Sequence, residues 1–99
     1  MKAELTDVTI VKRMPDQVSC DLSGEAVILN LNSGMYYGID EIGALIWSVL
    51  DEPRTMEYLR EIILQGYRVD KETCDRDVTA FLTDMQSAGL IEIKNEAVA

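Results

Sequence analysis

The side chains best suited to chemistry here are two cysteines, Cys20 and Cys74, and 18 carboxylates, in a chain of 99 residues without one histidine. Losing histidine removes the commonest general base and the commonest metal ligand. Glu57 and Glu61 lie one helical turn apart and suggest a general acid and base, but a solvated helix face accounts for that spacing as well. Glu41, Asp75, Asp77 and Asp84 read the same way. The cysteines are far apart in sequence and have no metal-ligand spacing. Cys74 falls on an apolar helical repeat and reads as a small buried hydrophobe. No nucleophile, base and oxyanion site come together. The sequence therefore predicts a protein that is not an enzyme and carries no cofactor and no metal.

Charge narrows the partners. Nine basic residues against 18 acidic ones give a formal net charge of −9. Nucleic-acid binding needs a basic footprint, and none is visible. An acidic surface suits solubility or a partner carrying positive charge. No segment approaches the roughly 20 apolar residues of a membrane span. Met1 to Arg13 lacks the apolar run of a signal peptide. Free thiols and these absences predict a cytoplasmic protein. The length suits a single domain, residues 1–99, with an ordered core of about 8–94 and a frayed end over the last five.

Elements follow from periodicity. "VTIVK" (8–12) reads as a first strand or an ordered arm, and Pro15 with Asp16 breaks it. "VSCDL" (18–22), "AVILNL" (26–31) and "MYYGI" (35–39) read as strands, separated by turns at "SGE" and "NSG". Together they predict a three-stranded antiparallel meander over 18–39. Asp40 caps a helix over 41–51, in which Ile42, Leu45, Ile46, Val49 and Leu50 repeat at helical spacing. Gly43, inside that helix, predicts the close approach of another backbone, and Trp47 predicts a core anchor with its N–H at the edge. Thr55 caps a second helix with Met56, Leu59, Ile62 and Ile63 on one face, stopped at Gly66. Asp70 caps a third, with Cys74, Val78, Phe81, Leu82 and Met85 in phase, stopped at Gly89. "LIEIK" (90–94) reads as a short strand or an extended tail.

The short turn between helices two and three is a helix-turn-helix arrangement. A DNA-reading helix needs Arg, Lys, Asn or Gln near its start. The segment "DKETCDRD" (70–77) carries more acids than bases and repels phosphates. A winged-helix regulator acting through protein contacts or weakly on DNA is the alternative reading. Retention on heparin or a mobility shift at low salt discriminates it.

The strand 35–39 lies at the edge of the predicted meander. Met35, Tyr37 and Ile39 share the face towards the helices, and Tyr36 points outward. Neither proline nor lysine protects its unpaired N–H and C=O groups. Such an edge accepts an extended peptide as a fourth strand.

Two phrases carry a family likeness: "DLSGEAVILNLNSGMYYGIDEIGALIWSVLD" and "VDKETCDRDVTAFLTDMQSAGLI", which together cover most of residues 21–91. The more specific part is "YYGIDEIGALIW"; the run "D-V-x-x-F-L" followed by "G-L-I" is common in winged helices. In this order they resemble the PqqD-like family, or RiPP recognition elements. The resemblance implies an α+β fold, a winged helix-turn-helix with a three-stranded antiparallel sheet packed on a three-helix bundle. It also implies a non-catalytic adaptor. Family members bind the leader of a ribosomally made precursor peptide and present it to a modifying enzyme. The leader adds to the third strand of the sheet, in a cleft against the third helix. Carried over, Met35, Tyr36, Tyr37 and Gly38 supply the strand, with main-chain pairing from Tyr36, Tyr37 and Gly38. Val78, Leu82 and Met85 line the apolar side, with Asp75 near the mouth. The implied partners are the precursor peptide and either a leader peptidase or a radical-SAM enzyme. The phrase "DLSGEAVILNLNSGMYYGID" looks more like the lasso-peptide group than the pyrroloquinoline quinone group.

Overall fold

The structure is a computed structural model that describes residues 6–94. In chain order its elements are β1 (Ile10–Arg13), β2 (Gln17–Leu22), β3 (Glu25–Asn30), β4 (Met35–Ile39), α1 (Glu41–Val49), β5 (Arg54–Thr55), α2 (Met56–Gly66), α3 (Lys71–Ser87) and β6 (Ile91–Lys94). They form an α+β fold with three helices and two three-stranded antiparallel sheets, ordered β2-β3-β4 and β5-β1-β6. The fraying expected of the last five residues lies outside the described residues. Among the described residues, no helix is long and apolar enough to cross a membrane.

The first sheet is the predicted meander. Ser23 and Gly24 join β2 to β3 with both φ angles positive, 51° and 92°, the pattern that matches the twist of a tight hairpin. Along β3, Ala26, Ile28 and Asn30 are buried while Val27 and Leu29 are half-buried on the other face. One face thus meets the helices and the other meets water.

The second sheet resolves the two open readings. Residues 10–13 and 91–94 are strands, paired from Ile10↔Lys94 to Arg13↔Ile91. Val8 stays outside and exposed, because Thr9 N–H turns back to the Thr6 carbonyl at 3.1 Å. β5 holds only two residues and sits in a linker that reads as a helix break. Arg54 opposes Val11 there.

All three predicted N-caps are in place. Asp40 accepts from Gly43 N–H at 2.9 Å, Thr55 from Tyr58 N–H at 3.2 Å and Asp70 from Thr73 N–H at 2.8 Å. The C-termini differ more. α1 stops at Val49 rather than 51, because Leu50 N–H tightens onto the Trp47 carbonyl at 3.1 Å. Gly66 is the last residue of α2, and the stop is made by an extended Tyr67 rather than by a left-handed glycine. Gly89, at φ +77°, does take the left-handed form. It lets Leu90 N–H reach Met85 O and its own N–H reach Gln86 O, both at 3.0 Å, which satisfies two terminal carbonyls of α3.

Trp47 is a core anchor, as its position predicts, with 3 % exposure. Arg13 lies over its ring at 4.3 Å and donates to its carbonyl at 2.6 Å. The indole N–H, expected at an edge, is buried without a hydrogen-bond partner among the described residues. Gly43 is closely approached, but by side chains rather than by the backbone its position predicts: the nearest atoms a Cβ there would meet belong to the Ile39 side chain and the Phe81 ring, 2.7 Å from Cε1.

Asn30 closes the frame. Its side-chain oxygen accepts from Asn32 N–H at 2.9 Å and Ser33 N–H at 3.3 Å, and its amide donates to Ala88 O at 2.9 Å. One buried side chain thus shapes the β3–β4 turn and ties it to the end of α3. Asn30→Ala is expected to cost about 1–3 kcal/mol, the range for leaving buried polar groups unpaired. The urea midpoint should fall with an unchanged slope.

Candidate functional site

β4 is an edge strand, and the phase of the ladder decides which of its groups are free. Leu31 N–H donates to Asp16 O at 3.0 Å, so the odd-numbered residues of β3 direct their main chain towards β2. The even-numbered ones direct theirs towards β4. Ile28 opposes Tyr37, and Ala26 opposes Ile39. The N–H and C=O groups of Tyr37 and Ile39 are therefore used within the sheet, while Met35 N–H donates to Ser33 Oγ at 3.2 Å in the turn. Those of Tyr36 and Gly38 point out of it. Of the three residues expected to pair with a peptide, Tyr37 is engaged and Tyr36 and Gly38 are open.

Side chains on β4 alternate as expected, with one exception. Tyr36 is 69 % exposed on the outer face, Tyr37 is half-buried and Ile39 is buried. Met35, expected with the helices, is 55 % exposed. It opposes Asn30 at the turn end of the strand, where Asn30 and not Met35 fills the space beside the end of α3.

The sheet is tied to α3 at one end, and β4 meets α1 at the other. Asn30, the partner of Met35, is bonded to Ala88 at the end of α3. Beyond Ile39, Gly43 of α1 has the Ile39 side chain and the Phe81 ring of α3 beside it. Next to this second contact is a groove of about 240 Å³ between α1 and α3. Ile42, Gly43, Ile46, Val78, Ala80 and Phe81 make its wall apolar, and Asp40 and Asp77 add carboxylates. Gly43 allows the groove its depth, because any side chain there would displace Phe81.

The predicted helix residues divide between two places. Val78 lines the groove, although only 1 % of it is exposed. Leu82 and Met85 are core residues, at 0 % and 5 % exposure. Asp75 faces α2, with Oδ1 3.0 Å from Arg60 Nε, close but not aligned as a hydrogen bond. Arg60 also pairs with Asp7. Helical spacing alone identified an apolar stripe and could not divide it. Phe81, one step round the helix, turns to the groove. Phe81, Ile42, Gly43 and Asn30 are the residues the sequence did not single out for the site. Only the helix-interior glycine carried a signal, and it was read as a backbone contact.

Among the described residues, no group of three or more His, Cys, Asp or Glu is arranged to hold a metal. Cys20 is exposed and Cys74 is buried. Burial, followed by the charge of Asp75, pushes the Cys74 thiol above its ordinary value. Native protein should alkylate at Cys20 at least a hundredfold faster than at Cys74, with the two equal in denaturant. Neither thiol lines the groove, so Cys20→Ser with Cys74→Ala should leave peptide affinity unchanged. Peptide mapping after iodoacetamide and calorimetry check the two statements.

An open sheet edge near an apolar groove between α1 and α3 marks a small α+β protein with a surface suited to an extended chain. The sequence matches the model of coenzyme PQQ synthesis protein D (PqqD) over residues 25–91, and the chain belongs to the PqqD family. Two solved structures are similar to it. One is described as TbiB1 in complex with the TbiA(beta) leader peptide; it is 34 % identical, with a TM-score of 0.77 over 88 % of this chain and 99 % of that one. The other, lasso peptide synthetase B1 complexed with the leader peptide, is 22 % identical, with a TM-score of 0.71 over 83 % and 96 %. The second likeness shows the fold alone. No curated protein matches the sequence.

Proposed function

We propose that this protein is a non-catalytic adaptor of lasso-peptide biosynthesis, a RiPP recognition element that binds the leader segment of a precursor peptide and presents it to a leader peptidase. The observation that carries the proposal is the 34 % identity, across 99 % of its length, to a protein whose solved structure holds a leader peptide. The open groups of Tyr36 and Gly38 support addition of the leader as a fourth strand on β4. The groove between α1 and α3 takes its apolar side chains. Of the residues assigned from the sequence, Met35, Tyr36, Gly38 and Val78 border this path directly. Tyr37 acts by holding β4 in the sheet, and Leu82, Met85 and Asp75 act by fixing α3. The reading needs no cofactor and no metal. On this reading the protein is cytoplasmic, and residues 1–99 are one peptide-binding domain with an ordered core of about 8–94. A radical-SAM pathway of the pyrroloquinoline quinone type is the next choice of setting. We also read α2, α3 and the sheet β5-β1-β6 as a winged helix-turn-helix in which the helix pair has no nucleic-acid role.

Titration calorimetry with the leader segment of the precursor encoded beside this gene tests the reading. Saturable one-to-one binding is expected. No heat and no competition at millimolar peptide would overturn it.

A further inference from the structure

We propose that the free edge of β2 is a self-association surface, through which two copies of this chain pair antiparallel about a two-fold axis at Cys20. β2 ends its sheet on the side opposite β4. Its residues from Val18 to Leu22 are exposed, and neither proline nor lysine guards them. The ladder phase that opens Tyr36 and Gly38 on β4 also operates here. Even-numbered residues of β2 bond to β3, so the main-chain groups of Gln17, Ser19 and Asp21 point outward.

The strand is complementary to itself in one register. With Cys20 opposite Cys20, Ser19 of each copy faces Asp21 of the other, a hydroxyl donor against a carboxylate acceptor. Val18 faces Leu22, and these two side chains, 54 % and 50 % exposed, cover one another on the outer face. Sliding one way brings Asp21 opposite Asp21, and like charges directly opposed are unfavourable. Sliding the other way leaves Leu22 opposite Asp16. Below the strand a cavity of about 190 Å³ separates Ser19 and Asp21 from the small residues Ala44 and Ser48 of α1, so α1 does not pack tightly against this edge. The six-stranded sheet that results keeps both β4 edges free at its ends, so this inference does not depend on the peptide-binding reading.

Two chains of charge −9 repel one another, so added salt should strengthen the pair. Sedimentation equilibrium on the full chain under reducing conditions should show a monomer–dimer equilibrium that shifts towards dimer in high salt. Cys20→Ser should keep it. Cys20→Lys should weaken it up to about fivefold by setting two ammonium groups face to face, and its exposed site spares the monomer. Ser19→Pro removes an outward N–H without touching the β2–β3 ladder and should abolish the dimer with an unchanged circular dichroism spectrum; if that variant misfolds, Cys20→Lys decides. The register has its own readout. Opposed residues of a pair without mutual hydrogen bonds have Cα atoms about 4.5 Å apart, within the disulfide range of about 4.4–6.8 Å. Copper–phenanthroline with oxygen should take two electrons from the two Cys20 thiols, releasing two protons and joining the copies by a disulfide. The native protein should crosslink at Cys20 much faster than the denatured protein at equal concentration. A monomer at millimolar concentration in high salt would overturn the proposal. So would a dimer that Cys20→Lys does not weaken, or one that does not crosslink through Cys20.

Discussion

Replacing Gly38 with proline should reduce leader affinity by at least about a hundredfold while the domain stays folded. The Gly38 main chain points away from β3, because Val27, its partner across the strand, bonds to β2. Proline at this position therefore removes no hydrogen bond of the folded protein. No heavy atom lies within 4 Å of a Cβ built at Gly38, and its φ is not in the left-handed range. Edge strands are where proline is tolerated. The bound peptide suffers twice. It loses a donor, and the proline ring occupies the path of the carbonyl that would have accepted from it. An acceptor buried without a partner costs about 1–3 kcal/mol, and each 1.4 kcal/mol is about tenfold in affinity; the steric conflict adds to this. Calorimetry reads the affinity and circular dichroism the fold. Unchanged affinity in a folded variant would place the peptide elsewhere. Tyr37→Pro is the informative contrast. Its N–H belongs to the ladder with Ile28, so it should damage the sheet itself.

The second large effect should come from the peptide. The groove has an apolar wall built from Ile42, Ile46 and Phe81 and two carboxylates, Asp40 and Asp77. A complementary leader carries an aliphatic or aromatic anchor and at least one Lys or Arg. Main-chain pairing does not distinguish sequences, so on the proposed binding path the specificity falls to this pocket. Burying one large side chain gains roughly 1.5–3 kcal/mol, whereas an exposed ion pair contributes about 0–1 kcal/mol. Changing the anchor to alanine should therefore weaken binding about tenfold to a hundredfold. Raising salt, or making Asp77→Asn, should cost much less. Both comparisons belong on one peptide series in a calorimeter. Binding that vanished in salt while the alanine leader bound normally would mean that recognition is electrostatic.

What the sequence revealed was whatever is local. Short runs rich in apolar residues between turn signals marked β2, β3 and β4, and Asp40, Thr55 and Asp70 announced three helices whose caps the structure reproduces. The open edge of β4 was legible for the same reason, since the order of hairpins determines which strand lies outermost. The second sheet was not. β5 has two residues, and β1 finds β6 some 80 residues away along the chain; pairings so distant leave no periodic trace. The site divided along the same line. Val78 and Phe81 belong to one apolar repeat of α3, and no period says that Leu82 and Met85 turn to the core while Phe81 turns to Gly43. That division depends on where α1 lies. Asn30 was similarly hidden: inside "AVILNL" it reads as an ordinary strand position, and its bond to Ala88 spans 58 residues.

The length of the open edge has a metric consequence. Asn30 of β3, opposite Met35, is bonded to Ala88, and at the other end of β4 Ile39 lies against Gly43 of α1. Between these points the edge is one five-residue strand, about 16–17 Å at the rise of an extended chain. A peptide held there is gripped over a window of about that length, with only two outward-facing residues, Tyr36 and Gly38, to set its register. An enzyme acting downstream would then meet its substrate bond at a distance set by the number of residues after the window, so the slot works as the zero mark of a ruler.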